Sequence, residues 1–112
     1  MLQEIPAQIE WLKPWELLQD SGERLVNELQ KELSCDHALH GVAVVAVAHR
    51  IDRDDVLFAT ADPLKLLAVV HLTWKGRTER DARWPCTTLF HDWQEWVERC
   101  LLPDHREYSG VG

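Results

Sequence analysis

The sequence predicts an α+β domain of two layers, with the element order α-β-β-β-α. A three-stranded antiparallel meander is expected to carry both helices packed on one face. Two segments have apolar residues at helical spacing, three segments between them are strand-like, and short connections favour antiparallel neighbours. The 112 residues are 46% hydrophobic and 28% charged. This balance and length predict one globular domain over residues 1–112.

An irregular arm and a helix are expected at the start of the chain. Residues 1–19 contain Pro14, which opposes a continuous helix, and two tryptophans that can pack on the body. Asp20 and Glu23 have the spacing of a reciprocal N-terminal cap. Apolar residues then recur at steps of three and four, which predicts the first helix over 20–34.

Three strands are predicted in the middle of the sequence. Residues 42–50 are rich in Val and Ala without a helical stripe, turn residues follow, and 55–60 reads as the returning strand. Residues 66–74 form the third strand, and a polar, basic loop follows over 75–83. All three strands carry apolar residues on both faces.

The second helix has the clearest signals. Asp92 is followed by Glu95 in the pattern of a cap, and apolar residues recur at three- and four-residue steps up to Leu101. Pro103 is expected to end this helix, and residues 104–112 to form a flexible tail.

This predicted architecture leaves one apolar face of the sheet without a cover. Helices on a single face leave the other exposed, and large exposed apolar surfaces mark interaction sites. The pattern therefore predicts that the N-terminal arm, a second copy of the chain or another protein covers that face. A homodimer or a protein partner is expected on this ground.

Charge and composition exclude several classes of function. Twelve Lys and Arg against nineteen Asp and Glu give a net charge of −7, which argues against nucleic-acid binding as the main activity. No apolar run approaches the length of a membrane span, and the N-terminus does not resemble a signal peptide. Three cysteines are an odd number for a secreted disulfide framework, so a cytoplasmic location with reduced thiols is expected.

Two regions are candidates for partner binding. Residues 1–36 contain eight acidic and three basic residues, a net charge of −5, so an acidic face on the first helix is expected to attract a basic partner. The basic loop lies between two tryptophans, and Trp and Arg are enriched in binding hot spots. The candidate contact residues are Glu23, Glu28 and Glu32 on the helix, and Trp74, Arg77, Arg80 and Trp84 in and beside the loop.

A cluster on the strands is the candidate for chemistry. A hairpin turning at Asp52-Arg53 places Arg50 opposite Asp55 and His49 opposite Val56, and His71 on the third strand lies near one pair or the other depending on register. A carboxylate beside an imidazole favours a general base. Cross-strand ion pairing without catalysis is the competing interpretation. The candidate set is His71, Asp55, His49, Arg50 and Thr73.

Cofactor and metal sites are not expected. Cys35, His37 and His40 form the densest group of metal-capable side chains, but their spacing does not match structural zinc sites. A polar connector between helix and strand is the favoured interpretation. The sequence also lacks a glycine-rich phosphate loop, a nucleophile elbow and an HExxH motif.

Several short phrases together resemble a family of small uncharacterised bacterial proteins of about this length. They are Ile5-Pro6-Ala7, Pro14-Trp15, Asp54-Asp55-Val56-Leu57-Phe58, Val69-Val70-His71-Leu72-Thr73-Trp74, Trp84-Pro85 and Trp96-Val97. The resemblance implies a bacterial cytosolic origin and no activity, cofactor or site residue. In general character, as a small acidic chain with several tryptophans, the protein is also similar to bacterial immunity proteins.

These observations favour a non-enzymatic cytoplasmic protein-binding module, such as an inhibitor or immunity-like protein for a basic partner. The alternative is a small enzyme or ligand-binding protein that uses the strand cluster around His71.

Overall fold

The fold is an antiparallel sheet of five strands with helices on both sides. The computed structural model describes residues 5–6, 9–62, 66–75, 77–81 and 83–110. Its strands follow the chain as a simple meander: β1 Trp15–Leu17, β2 Val44–Arg50, β3 Asp55–Thr60, β4 Leu67–His71 and β5 Cys86–Phe90. The α+β class and the three predicted strands are confirmed, and the prediction of a three-stranded sheet is wrong by one strand at each edge.

One additional strand lies in the segment predicted to be an irregular arm, and the other in a segment for which no element was predicted. β1 is three residues long and follows Pro14, in the segment expected to be an irregular arm. It pairs with β2 through Trp15 and Arg50. β5 follows Pro85 and contains two β-branched threonines, and it pairs with β4 along its whole length. The third predicted strand is shorter than expected, because pairing ends at His71.

The helices pack on opposite faces of the sheet, so the prediction that they share one face is wrong. Helix α1, Glu23–Glu32, covers the face that carries Val56, Phe58 and Val70. The C-terminal helix and the tryptophans of the N-terminal arm cover the face that carries Leu57 and Leu67. The same chain therefore covers both faces of the sheet, which explains why the strands carry apolar residues on both faces. The reason for expecting a second subunit on an uncovered face is thereby removed.

The first helix is shorter than predicted at both ends. Gly22 adopts a left-handed conformation, φ 68°, immediately before α1, and its N–H donates to Asp20 Oδ1 at 2.8 Å. Asp20 therefore fixes the turn that leads into the helix, and the predicted reciprocal cap between Asp20 and Glu23 is not formed. A Cβ at Gly22 would lie 2.6 Å from Ala46 Cβ, so α1 approaches β2 too closely for a side chain at this position.

The C-terminal helix begins as predicted and ends later. It consists of α2 Trp93–Trp96, a π-helical turn Val97–Leu101 and α3 Leu102–Ser109. Asp92 Oδ1 accepts from the Glu95 N–H at 2.7 Å, as the cap pattern predicts. The expectation that Pro103 stops the helix is wrong, because α3 continues through residues 104–109 of the predicted tail. Residues 111–112 of that tail lie outside the described residues. Pro103 lies in the first turn of α3, after the π turn, where a missing N–H is tolerated.

A cluster of indoles joins the arm to the C-terminal helix. Trp96 is fully buried, and its ring centre lies 5.6 Å from that of Trp11, 5.5 Å from that of Trp15 and 6.0 Å from that of Trp93. Edge and tilted contacts at these distances add to the apolar burial of each ring. Four of the six tryptophans are therefore used in packing, which leaves Trp74 and Trp84 at the surface.

Within the described ranges, no helix is both long enough and apolar enough to cross a membrane.

Candidate functional sites

The strand register brings Asp55 and His71 together. Asp55 on β3 is paired with His71 on β4, and His71 Nδ1 lies 2.6 Å from Asp55 Oδ1. Asp55 is largely buried, with 16% of its side chain exposed, whereas His71 is 49% exposed. In the neutral imidazole, an Nδ1–H donates to Asp55 Oδ1, and Nε2 is left as an acceptor. This is the arrangement of an oriented imidazole base.

Arg50 is placed close to this pair, but its guanidinium is already occupied. Its Nε donates to Asp52 Oδ1 at 2.9 Å, and its Nη1 lies 3.4 Å from Asp104 Oδ2. Burial by itself lowers the pKa of Arg50, but the hydrogen bond to Asp52 and the charges of Asp104, Asp52 and Asp55 outweigh it and raise that pKa. With 7% exposure and two carboxylate partners, Arg50 joins the sheet to α3 and does not offer an anion site.

The other two members of the predicted strand cluster lie elsewhere. His49 is paired with Val56, as the predicted register requires, and Val56 faces α1, on the side of the sheet opposite to His71. Thr73 lies beyond the end of β4. Its N–H donates to Glu32 and its hydroxyl to Glu79 Oε1, both at 2.9 Å. The structure therefore brings together Asp55, His71 and Arg50 and separates His49 and Thr73 from them.

A residue that the sequence analysis did not place in this cluster lies on the other side of His71. Cys86, the first residue of β5, is paired with His71 and is exposed. The sequence signal was the alternation of Cys86, Thr88 and Phe90, but the preceding Pro85 made the segment resemble the end of a loop. The three residues Asp55, His71 and Cys86 thus form a row across β3, β4 and β5, called the histidine row below.

The segment 74–84, called the tryptophan–arginine loop below, is fastened to α1 by a buried carboxylate. Glu32 is completely buried and accepts the N–H groups of Thr73 and Trp74 at 2.9 Å each. The Glu79 N–H donates to the Glu32 carbonyl at 3.0 Å. Burial is the main cause that raises the pKa of Glu32, and the hydrogen bond with Glu28 raises it further, while the two backbone N–H groups oppose the shift.

Two of the predicted acidic contact residues are therefore internal. Glu28 and Glu32 are 7% and 0% exposed, and Glu28 Oε2 has no hydrogen-bond partner among the described residues. Of the three glutamates expected on an acidic face, only Glu23 lies at the surface. The burial of Glu32 is not visible in the sequence, because it comes from contacts with Thr73, Trp74 and Glu79, which are about 40 residues away along the chain or more.

The tryptophan–arginine loop itself displays the predicted aromatic and basic residues. Trp74 and Trp84 are 40% and 47% exposed. Trp74 adopts φ 56°, a conformation that is uncommon for a large side chain, and the guanidinium carbon of Arg24 lies 5.5 Å from its ring centre. Arg77 and Arg80 are exposed, and neither forms an ion pair with another residue of the described ranges.

The other charged residues of the loop are paired within it. Lys75 Nζ lies 3.7 Å from Glu79 Oε1, and Arg83 Nη2 lies 2.6 Å from Asp81 Oδ2. The hydrogen bonds with Arg83 lower the pKa of Asp81. Because these four charges cancel, the loop presents the two positive charges of Arg77 and Arg80.

His37, from the densest group of metal-capable residues, is buried in the connector after α1. Its Nδ1 accepts from the Leu39 N–H and its Nε2 lies 3.0 Å from the Pro85 carbonyl, so both ring nitrogens are engaged. Among the residues with described positions, no group of three or more His, Cys, Asp or Glu side chains is arranged to hold a metal ion. His37 joins the connector to the start of β5.

Comparison with protein-family models, with curated proteins and with solved structures finds no match for this chain.

Proposed function

We propose that this protein is a non-enzymatic protein-binding module and that the tryptophan–arginine loop is its contact surface. The observation that carries the proposal is a pair of exposed indoles, Trp74 and Trp84, beside two exposed arginines that form no ion pair with any described residue. Tryptophan and arginine, together with tyrosine, are the residue types enriched at binding hot spots. Four other tryptophans of the same chain are used in packing, so the exposure of these two is selective.

The anchoring of this loop supports the proposal. Glu32 holds the backbone of Thr73 and Trp74 through two short hydrogen bonds, and the uncommon backbone conformation of Trp74 is maintained against its local cost. A surface whose backbone is already ordered loses less conformational entropy when a partner binds. The buried carboxylate therefore orders the start of the loop, at Thr73 and Trp74, before a partner binds.

The chemistry of the loop favours an acidic partner surface. Arg77 and Arg80 provide two positive charges that are not paired with any described residue, and both line a polar hollow of about 680 Å³ that is open to solvent. Carboxylates of a partner match the planar fork of arginine, while apolar groups match the indoles. The expectation of a basic partner depended on an acidic face of α1, and the burial of Glu28 and Glu32 removes most of that face. An inhibitor or immunity-like role is one form that such a module takes.

The test is to isolate the tagged protein from its cells of origin and to examine retained proteins by native mass spectrometry. Wild-type protein is compared with Trp84→Ala and Arg80→Glu, and with Tyr108→Ala as a matched control, because Tyr108 is an exposed aromatic residue on α3. Loss of a tryptophan hot spot costs about 2 kcal/mol or more, which corresponds to about 30-fold weaker binding.

The expected result is a protein retained by the wild type and by Tyr108→Ala, and lost or strongly reduced with Trp84→Ala and Arg80→Glu. Its retention should also weaken as salt is raised, because the two arginines contribute through charge. Retention of no protein by the wild type, or equal retention by all four forms, would refute the proposal.

The second candidate, a small enzyme or ligand-binding protein, is favoured by one observation, the 2.6 Å contact between Asp55 and His71. Of the residues expected with them, Arg50 is engaged with carboxylates and His49 and Thr73 lie elsewhere. This function predicts that His71→Gln abolishes binding of a small ligand while leaving protein binding by the loop unchanged.

A further inference from the structure

In the histidine row, a carboxylate, an imidazole and a thiol lie side by side. Neither the tryptophan–arginine loop nor the packing of the core explains this sequence of groups. Asp55 is paired with His71, and His71 is paired with Cys86, on three neighbouring antiparallel strands. Side chains of directly paired residues project to the same face, with Cβ atoms about 4.5–5.5 Å apart. Carboxylate, imidazole and thiol therefore follow one another along a line, and both His71 and Cys86 are exposed to solvent.

The imidazole in the middle of the row is oriented by the carboxylate. Asp55 Oδ1 occupies Nδ1 at 2.6 Å, so Nε2 is the nitrogen available to accept a proton. No described side chain forms a hydrogen bond with that nitrogen. The linear order also distinguishes the row from a metal site, because three ligands of one ion must converge on a common point.

We propose that Cys86 is a reactive thiol, activated by His71, and that it is a site for mixed-disulfide formation with low-molecular-mass disulfides. His71 Nε2 takes the proton from Cys86 Sγ, and the resulting imidazolium stabilises the thiolate. The thiolate attacks one sulfur of the disulfide, so that a new S–S bond forms as the original S–S bond breaks. The leaving thiolate then takes the proton from His71, and the products are the modified Cys86 and one free thiol.

The other two cysteines provide a comparison within the same chain. Cys35 is exposed, but the polar group beside it is a carboxylate, with Sγ 3.9 Å from Asp36 Oδ1. Cys100 is partly buried with Sγ 3.5 Å from Asp104 Oδ2, and burial together with that carboxylate raises the pKa of its thiol far above the ordinary value. Among the three, only Cys86 is paired with an imidazole. This is the reason to expect selective modification of Cys86.

The experiment uses the full chain with oxidised glutathione as the probe at pH 7. Samples are quenched by acid at intervals, and glutathionylation of each cysteine is measured by peptide mass spectrometry. We expect Cys86 to be modified at least about threefold faster than Cys35, because proton transfer to His71 supplies the thiolate that attacks the disulfide. Cys100 should be modified most slowly.

Variants of the histidine row test whether it causes the faster modification of Cys86. His71→Gln should reduce the rate at Cys86 to that at Cys35, and Asp55→Asn should reduce it in part, while the rate at Cys35 stays unchanged. His91→Gln, which removes another exposed histidine, is the matched control and should have no effect. Equal rates at Cys86 and Cys35 in the wild type would overturn the proposal without any variant. An unchanged rate at Cys86 in a folded His71→Gln protein would also overturn it.

Discussion

The buried carboxylate of Glu32 is expected to hold the tryptophan–arginine loop in place, and Glu32→Ala tests this directly. The substitution removes both acceptors of the Thr73 and Trp74 N–H groups. A hydrogen bond to a charged group contributes about 1.5–3 kcal/mol. Since water can reach the exposed Trp74, we take the lower value for each bond and expect a loss of about 3 kcal/mol in the free energy of unfolding.

The assay is urea and thermal unfolding combined with hydrogen exchange. For a domain of this size, a loss of about 3 kcal/mol lowers the melting temperature by about 12 °C. Glu32→Gln keeps one acceptor oxygen and should fall between the wild type and Glu32→Ala. Glu23→Ala removes an exposed glutamate from the same helix and should change stability by less than about 0.5 kcal/mol.

The exchange of individual amides separates local from global effects. The N–H groups of Thr73 and Trp74 should lose protection in Glu32→Ala while the amides in the centre of β3 remain protected, because the hydrogen bonds removed belong to the loop. If Glu32→Ala unfolds at the same urea concentration as Glu23→Ala, or if the Trp74 amide stays protected, the proposed anchoring of the loop is refuted.

Three further predictions concern pH, the α3 contact and one glycine. Folding raises the pKa of Glu32 above its ordinary value of 4.5. Above pH 4.5 the folded protein therefore holds this proton more tightly than the unfolded chain does. The contribution of Glu32 to the free energy of unfolding should fall as the pH rises from 4.5 through the raised pKa. Glu32→Gln should flatten this slope in urea titrations at several pH values, and an unchanged slope would contradict the assignment. Asp104→Ala leaves buried Arg50 with one carboxylate partner and should cost about 2 kcal/mol by urea unfolding, whereas a flexible tail at this position would give no change. Gly22→Ala should destabilise the protein by more than Gly110→Ala in thermal unfolding: both glycines have positive φ, but only Gly22 has an atom 2.6 Å from the added Cβ. Equal effects of the two substitutions would contradict the close approach of α1 to the sheet.

Helix starts and strand registers were predictable where a single short-range pattern in the sequence was clear. The capped start of the C-terminal helix and the pairing of His49 with Val56 follow from short-range patterns, and the structure confirms both. β5 was missed because Pro85 and two polar threonines resemble a loop, and because its pairing with β4 is the interaction that makes it a strand. The continuation of the helix past Pro103 was missed because a π turn has no clear signal in the sequence.

Parts of the candidate sites were also predictable from the sequence, and the rest depended on tertiary contacts. The contact between Asp55 and His71 was one of two registers left open by the sequence, and the tertiary pairing selected it. The exposure of Trp74 and Trp84 agrees with the loop that the composition suggested. Glu32 was assigned to the surface, because helical spacing identifies the strongest apolar stripe and does not show that a distant loop covers the helix.

The sequence by itself determined that this chain forms an α+β domain with apolar residues on both faces of its strands. Both properties are determined by residues close together in the chain, through the periodicity of apolar side chains and the residue types found in turns. Only the tertiary structure decided that the two helices lie on opposite faces, that Glu32 is buried beneath a loop, and that Cys86 stands beside His71. These results depend on contacts between residues that are far apart in the chain, and the free energy of such contacts comes from burial and pairing that no local pattern records.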